Sequence, residues 1–348
     1  MNNKDSDRTI RRTIAICCLL FAVSAGIRLL FLLEYRSSPT FSVPIVDSAS
    51  YDRMADILVE EGRFDTEFFW HGFLYPFFLS GIYAISGSSR AAARIVQALL
   101  AGLTTLSVFF LGNRLFNGKT AIAAALITAF YGPLIFFDTA LLATGLAALL
   151  APALILMTLK TEREENLINY ILLGLCAGLA IICRATFVPY AASLLIMTGA
   201  VELKRGMKWK SVLLREALLA GGVVAVLLPV AVASARVTGH FSPLPRSGSI
   251  NMYIGNNPDT DRTMSKRPGA EWRSILILPE RNGKVTEREY RQYFMDRFRE
   301  YAVSQPGSFL AGLAAKSYRF FTSREIPRNY DIYSIRPYSK IISALTWK

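Results

Sequence analysis

The sequence predicts an all-α polytopic membrane protein. About seven transmembrane helices are expected, with interfacial helices in a first outer loop and a small mixed extracytoplasmic region at the C-terminal end. Two observations carry the prediction. Of 348 residues, 52% are hydrophobic and 19% charged, whereas soluble domains carry about a quarter charged residues. The missing charge is also concentrated: residues 121–137 and 140–159 contain none. Runs of that length cross a hydrocarbon core of about 30 Å at about 1.5 Å per residue, with every backbone group satisfied inside the helix.

The elements follow in order. Residues 1–12 carry Lys4, Arg8, Arg11 and Arg12 and read as a cytoplasmic terminus. The apolar run that follows lacks a small-x-small cleavage site before Glu34 and is long for a signal peptide, so it reads as an uncleaved first span. The spans fall at about 13–34, 91–112, 120–138, 140–160, 168–184, 186–202 and 213–235. Arg114 and Lys119 lie in one short loop, and Lys204, Arg205, Lys208, Lys210 and Arg215 crowd another. With the N-terminus inside, all of these bases face the cytoplasm. Residues 72–86 are apolar but too short to span easily. A span there would flip every later loop, so this piece reads as an interfacial or re-entrant helix of the outer loop 35–90.

Three parts result: the terminus 1–12, a bundle over 13–235 that includes the outer loop, and an extracytoplasmic region over 236–348. Within the last, Thr286 and Glu289 have capping-box spacing, which opens a helix. Residues 306–322 set Phe309, Leu310, Leu313, Phe320 and Phe321 beside Lys316 and Arg319, a pattern for a helix lying on a membrane surface. The apolar stretch 341–347 resembles the start of another span, which suggests a truncated or divergent C-terminus.

Charge placement narrows the partners. The net charge is +13; residues 35–90 hold seven acids and four bases, and residues 236–348 hold nineteen bases and ten acids. A basic region that follows a helical bundle points to membrane lipids and phosphates, and nucleic acid is not expected. Cys17, Cys18, Cys176 and Cys183 lie in apolar stretches without metal-ligand spacing. No metal site is expected, although a divalent ion is left open as a cofactor. Walker, G-x-G-x-x-G and G-x-S-x-G sequences are absent, which leaves ATP-driven transport and serine hydrolysis unsupported.

The residues that could carry chemistry cluster at predicted membrane boundaries. Asp47, in Asp47-Ser-Ala-Ser-Tyr51, lies a dozen residues after the first span. There it could take a proton from a hydroxyl nucleophile, with Tyr51 one helical turn on; the plain alternative is a solvated loop acid. Asp138 sits between two spans and could act beside Asp47 or simply cap a helix. Arg90, Arg94 and Arg184 are expected at the outer face, where a guanidinium grips phosphate. Headgroup snorkelling is the alternative, strongest for Arg90. Gln97 lies one turn after Arg94. His71 could touch a phosphate or sugar, or be an interfacial histidine beside Trp70. Asn256 and Asn257, in a glycine-rich loop, suit sugar contacts and equally suit turns.

In their order, these features resemble the GT-C superfamily of polytopic glycosyltransferases, which use polyprenyl-phosphate sugars. Protein O-mannosyltransferases and aminoarabinose transferases belong to the same branch. The carriers are Asp47-x-x-x-Tyr51 with Glu61-Gly62, Leu74-Tyr75-Pro76 with Gly87, and Arg94-x-x-Gln97 with Leu115-Phe116. Further carriers are Asp138 after Pro133, Gly174-x-x-x-Gly178 with Arg184, Gly239-His240-Phe241, Gly255-Asn256-Asn257 and Arg324-Glu325-Ile326-Pro327. The resemblance implies sugar transfer with inversion to a lipid, glycan or protein acceptor, outside the cytoplasmic membrane. It makes Asp47 and Asp138 the catalytic acids and assigns the donor phosphate to Arg94, Arg184 and His71. Tyr51, Gln97, Asn256 and Asn257 would touch substrate. His71-Gly72 stands where the family usually has a proline. A lipid-linked-sugar flippase and an inactive truncated scaffold are the rival readings. The flippase predicts charge deep inside the spans.

Overall fold

A computed structural model describes residues 3–164, 166–322 and 329–346, and every described element is helical. Met1–Leu244 together with Ile332–Trp347 form one compact unit, and Pro245–Asp331 form a second. The α-helices of eight residues or more in the first unit are α1 (Asn3–Tyr35), α2 (Asp47–Glu61), α3 (Leu74–Ser86), α4 (Arg90–Leu115) and α5 (Gly118–Phe130). They continue with α6 (Gly132–Thr139), α7 (Thr144–Arg163), α8 (Leu167–Cys183), α9 (Val188–Lys204) and α10 (Trp209–Thr238).

Five segments are long and apolar enough to cross a membrane: Ile10–Tyr35, Arg90–Leu115, Thr144–Arg163, Ala185–Lys204 and Trp209–Thr238. The pair α5 and α6, bent by 60°, supplies a sixth if it is one broken span. The expected count of seven is therefore not reached. The remaining expected span is α8, whose 17 residues rise about 25 Å, at the lower limit for crossing a hydrocarbon core. Helix α3, at 13 residues, is too short to cross.

Two packing devices position the bundle. The first is the contact of α8 with α10. A methyl at Gly174 would stand 2.1 Å from the Leu219 carbonyl oxygen, and one at Gly222 would stand 2.5 Å from that of Ile171. Only glycine lets the backbones approach so closely, which is how helices in lipid gain packing contacts.

The second device is the break between α5 and α6. Pro133 has no N–H, so the carbonyl of Ala129 loses its helical donor. Arg28 of α1 replaces it: Nη1 donates to Ala129 O at 3.1 Å and Nη2 to Thr128 O at 3.4 Å. The same guanidinium pairs with Asp138 at 2.7 Å, both side chains being essentially fully buried. Arg28 thus carries a charge inside the first expected span, and its partner Asp138 closes another.

The chain returns to the first unit after the second. Lys340–Leu345 is a six-residue helix, not the opening of a long one. Ser339 caps it by accepting from Ile342 N and donates to Glu34 Oε2 at 2.5 Å; Ile341 N donates to the same oxygen at 3.2 Å. Ile332, Ile335 and Ile342 are buried.

The second unit holds α11 (Gly248–Gly255), α12 (Glu287–Ser304) and α13 (Pro306–Phe320). Where described it is helical and not mixed. The capping box forms as the spacing predicts: Glu289 N donates to Thr286 Oγ1 at 3.3 Å and Thr286 N donates to Glu289 Oε2 at 3.1 Å. These bonds hold the Glu289 carboxyl below its ordinary range. Phe294 is the buried centre, ringed by Tyr253, Tyr290 and Tyr293 at 5.1–5.4 Å. Along α13, Phe309 and Lys316 are partly buried, while Leu310, Leu313, Phe320 and Phe321 are exposed. The motif at Arg324–Pro327 lies outside the described residues.

Candidate functional site

The site is built on α2. Asp47 is its first residue, where a carboxylate meets the positive end of the helix dipole, and Gly62 closes the helix at φ 65°. Val46 just before Asp47 has φ 52°. A β-branched residue in the left-handed region is a true outlier, costing on the order of 1–3 kcal/mol, and such strain gathers at functional sites. It fixes the angle at which the chain delivers Asp47. The Asp47 side chain stays 34% exposed.

One turn later Tyr51 is buried, 6% exposed, with its ring 5.1 Å from His71 and 4.9 Å from Tyr75. His71 Nε2 lies 3.9 Å from Asp47 Oδ1. Desolvation pushes the Tyr51 phenol well above its ordinary pKa. The Asp47 charge adds to that shift and the Arg184 charge opposes it. For His71, burial lowers the pKa from 6.5 and Asp47 pulls it back only in part, so the ring is neutral at pH 7.

Gly72 brings these groups to Arg184. A methyl there would meet the Cys183 carbonyl oxygen at 2.2 Å and the Ile182 oxygen at 3.0 Å. The loop carrying His71 is thus pressed onto the C-terminal end of α8, where Arg184 breaks the helix. The Arg184 side chain is exposed, and Nη2 donates to Thr144 Oγ1 at 3.0 Å at the start of α7. Asp47, Tyr51, His71 and Arg184 form one neighbourhood.

The other expected residues have different placements. Arg94, expected to hold phosphate, is 1% exposed. Its Nη1 donates to Phe41 O at 2.7 Å, and its guanidinium lies 4.3 Å from the Phe41 ring centre and 5.7 Å from that of Tyr35. A guanidinium so enclosed fastens the chain after α1. Gln97, expected on substrate, donates to the carbonyls of Asp138 and Ala140 at 3.0 and 2.8 Å and accepts from Tyr75 Oη at 3.1 Å. It ties the turn after α6 to the ring on which Tyr51 packs.

Asp138, expected as a second catalytic acid at a water boundary, is 1% exposed and bonded to Arg28. Burial beside a fixed cation makes it the counter-ion of the helix break.

Asn256 and Asn257 lie in the second unit. Asn257 is spent on its turn: Nδ2 donates to Tyr253 O and Thr263 Oγ1, both at 2.8 Å, and Oδ1 accepts from Asp259 N. Asn256 Oδ1 accepts from Lys316 Nζ at 2.6 Å.

Three groups escaped the sequence reading. Arg28 is one. The second is Asp52, 6% exposed, which accepts from Tyr83 Oη at 2.6 Å and pairs with Arg90 at 2.7 Å, joining α2, α3 and α4. Arg90 is therefore an ion-pair partner as well as a boundary cation. The third is Glu202, paired with Arg215 at 3.0 Å beside Tyr170. A lone acid and a lone base in neighbouring apolar helices were the available signal.

No cluster of three or more His, Cys, Asp or Glu suited to a metal occurs among the described residues. Within the site, Asp47 and His71 supply one carboxylate and one imidazole.

Residues 70–234, slightly under half of the chain, match the model of the dolichyl-phosphate-mannose-protein mannosyltransferase family. The match includes His71, Tyr75, Arg94, Gln97, Asp138 and Arg184, and stops short of Asp47, Tyr51 and the second unit. No curated protein matches the chain.

Proposed function

We propose that the chain is a membrane glycosyltransferase that moves a sugar from a polyprenyl-phosphate donor to an acceptor hydroxyl, with Asp47 as general base. The carrying observation is a single neighbourhood of complementary groups. A carboxylate 34% exposed stands 3.9 Å from a half-buried histidine, with the Arg184 cation near enough to act on Tyr51. The match of residues 70–234 to a mannosyltransferase family model supports the donor class and favours a hexose.

In this reading Asp47 accepts the proton of the acceptor hydroxyl, whose oxygen forms a bond to the anomeric carbon. The bond from that carbon to the phosphate oxygen breaks, and polyprenyl phosphate leaves as an anion facing Arg184. Attack opposite the leaving group inverts the anomeric centre. Neutral His71 offers a hydrogen bond to sugar or phosphate, and Tyr51 supplies a wall for the ring. Arg94, Gln97 and Asp138 act by holding the elements in place. The loop charges support a site on the extracytoplasmic face of the cytoplasmic membrane, within reach of a lipid, glycan or protein acceptor.

Transfer from labelled polyprenyl-phosphate mannose in reconstituted membranes is the test. Asp47→Asn is expected to slow turnover about 10²–10⁴-fold, the usual worth of a positioned base, while donor binding persists. Unchanged turnover would remove Asp47 from this role. A lipid-linked-sugar flippase gains one observation, the buried charge of Arg28 and Asp138. That pair is consumed by the proline break, where Arg28 bonds the carbonyls of Ala129 and Thr128. Flipping without covalent transfer in vesicles would favour that reading.

A further inference from the structure

The second unit contains a pocket of about 390 Å³ between α13 and the turn after α11. That volume lies at the lower end of the range for small-molecule pockets, about 300–1,000 Å³. Its floor is the Lys316 ammonium, partly buried and bonded to the neutral oxygen of Asn256 at 2.6 Å. No carboxylate among the described residues stands within ion-pair distance of that ammonium. At the rim, Arg319 Nη1 and Nη2 reach Asp261 Oδ1 at 3.2 and 3.3 Å, and Arg262 and Asp259 also face the space. Three cations thus oppose two carboxylates, one of them taken by Arg319. Tyr301 and Phe309 give the opposite wall an apolar side.

We propose that this pocket, bounded by Asn256, Asp261, Arg262, Tyr301, Lys316 and Arg319, is a phosphate-binding site that takes a free phosphate or the phosphodiester of an anionic lipid headgroup. A desolvated ammonium is unfavourable until an anion neutralises it. Asn256 supplies an acceptor without charge, and the rim arginines add the forked donors that phosphate oxygens use. Burial holds Lys316 below the ordinary lysine range, as expected of a cation awaiting its counter-ion. The proposal concerns the second unit alone and stands whether or not the chain transfers a sugar.

The test uses the full chain in phosphatidylcholine nanodiscs, acylated with a limiting amine reagent and read lysine by lysine by mass spectrometry. One arm titrates inorganic phosphate; the other replaces part of the lipid with phosphatidylglycerol. An anion that raises Lys316 by one pKa unit slows its labelling about tenfold at a pH below both values. Selective protection of Lys316 is expected in at least one arm, and the arm identifies the source. Asn256→Asp places a carboxylate beside the ammonium and is expected to abolish the response. No protection in either arm, or equal protection at Lys160 and Lys204, would overturn the site.

Discussion

Asp47 and Asp138 are both acids beside an apolar helix, yet their surroundings oppose each other. Asp47 is 34% exposed, with a histidine at 3.9 Å. Asp138 is 1% exposed, with an arginine at 2.7 Å. An accessible carboxylate beside a histidine ring can exchange a proton with a substrate. A carboxylate locked to a guanidinium, itself locked to the carbonyls of a broken helix, has no freedom to do so. Under the proposed function, equal chemistry serves catalysis in one place and architecture in the other, and the environment decides which.

Substitutions can break that contrast, and the largest effect is expected in turnover. Asp47→Asn is predicted to remove activity by about two to four orders of magnitude with little change in resistance to unfolding in detergent. Asp138→Asn is predicted to do the reverse and destabilise first, with activity lost only as protein is lost. A variant at 138 that keeps full stability but loses turnover would end the distinction.

Next comes the buried pair. Arg28→Met leaves Asp138 charged and alone in the interior, at a cost of about 3–5 kcal/mol. It also orphans the Ala129 carbonyl. Arg28→Met with Asp138→Leu removes both charges and should recover a good part of the stability, measured by denaturation in lipid or detergent.

A smaller effect belongs to Gly72. Its methyl would overlap a backbone oxygen at 2.2 Å. Gly72→Ala should cost about 1–3 kcal/mol, as overpacked positions do, and should loosen His71 from Arg184. A raised KM for donor that exceeds any fall in kcat would locate the damage in donor binding.

The smallest effect is a titration. With only two histidines in the chain, His240→Asn leaves His71 as a single NMR signal. Its midpoint should lie below 6.5 because desolvation outweighs Asp47. Since Asp47 favours the protonated ring, Asp47→Asn should lower the midpoint further. A group with a depressed pKa binds its proton more readily in the unfolded chain. Its contribution to stability is therefore lost as the pH falls through 6.5 toward the folded value.

Much of this was legible in the residues. Apolar runs set the spans, and the Asp47-x-x-x-Tyr51 spacing put both side chains on one helical face. The Thr286 and Glu289 spacing set the start of α12. The failures share a cause: sequence locates a charge along the chain but not its partner across it. Arg94 is read as a phosphate ligand, Arg90 as a boundary cation and Asp138 as a catalytic acid because Phe41, Asp52 and Arg28 lie 53, 38 and 110 positions away. Pro133 marked the break in α5–α6, and Arg28, alone among apolar neighbours, was the residue able to answer it. The span expected at 168–184 is found one residue earlier, at Leu167–Cys183, because Arg184 terminates the helix.

Gly132 begins α6, and a methyl there would strike the carbonyl oxygen of Leu345 at 2.3 Å. The missing side chain is a berth, and the segment after the second unit moors in it, with Glu34 as the other cleat. The same break that needs an arginine on one side is thus roofed by distant chain on the other. A bulkier residue at 132 would cast that roof loose and leave the weakest point of a membrane helix open to lipid. Faster amide exchange in residues 340–346 would be the first sign.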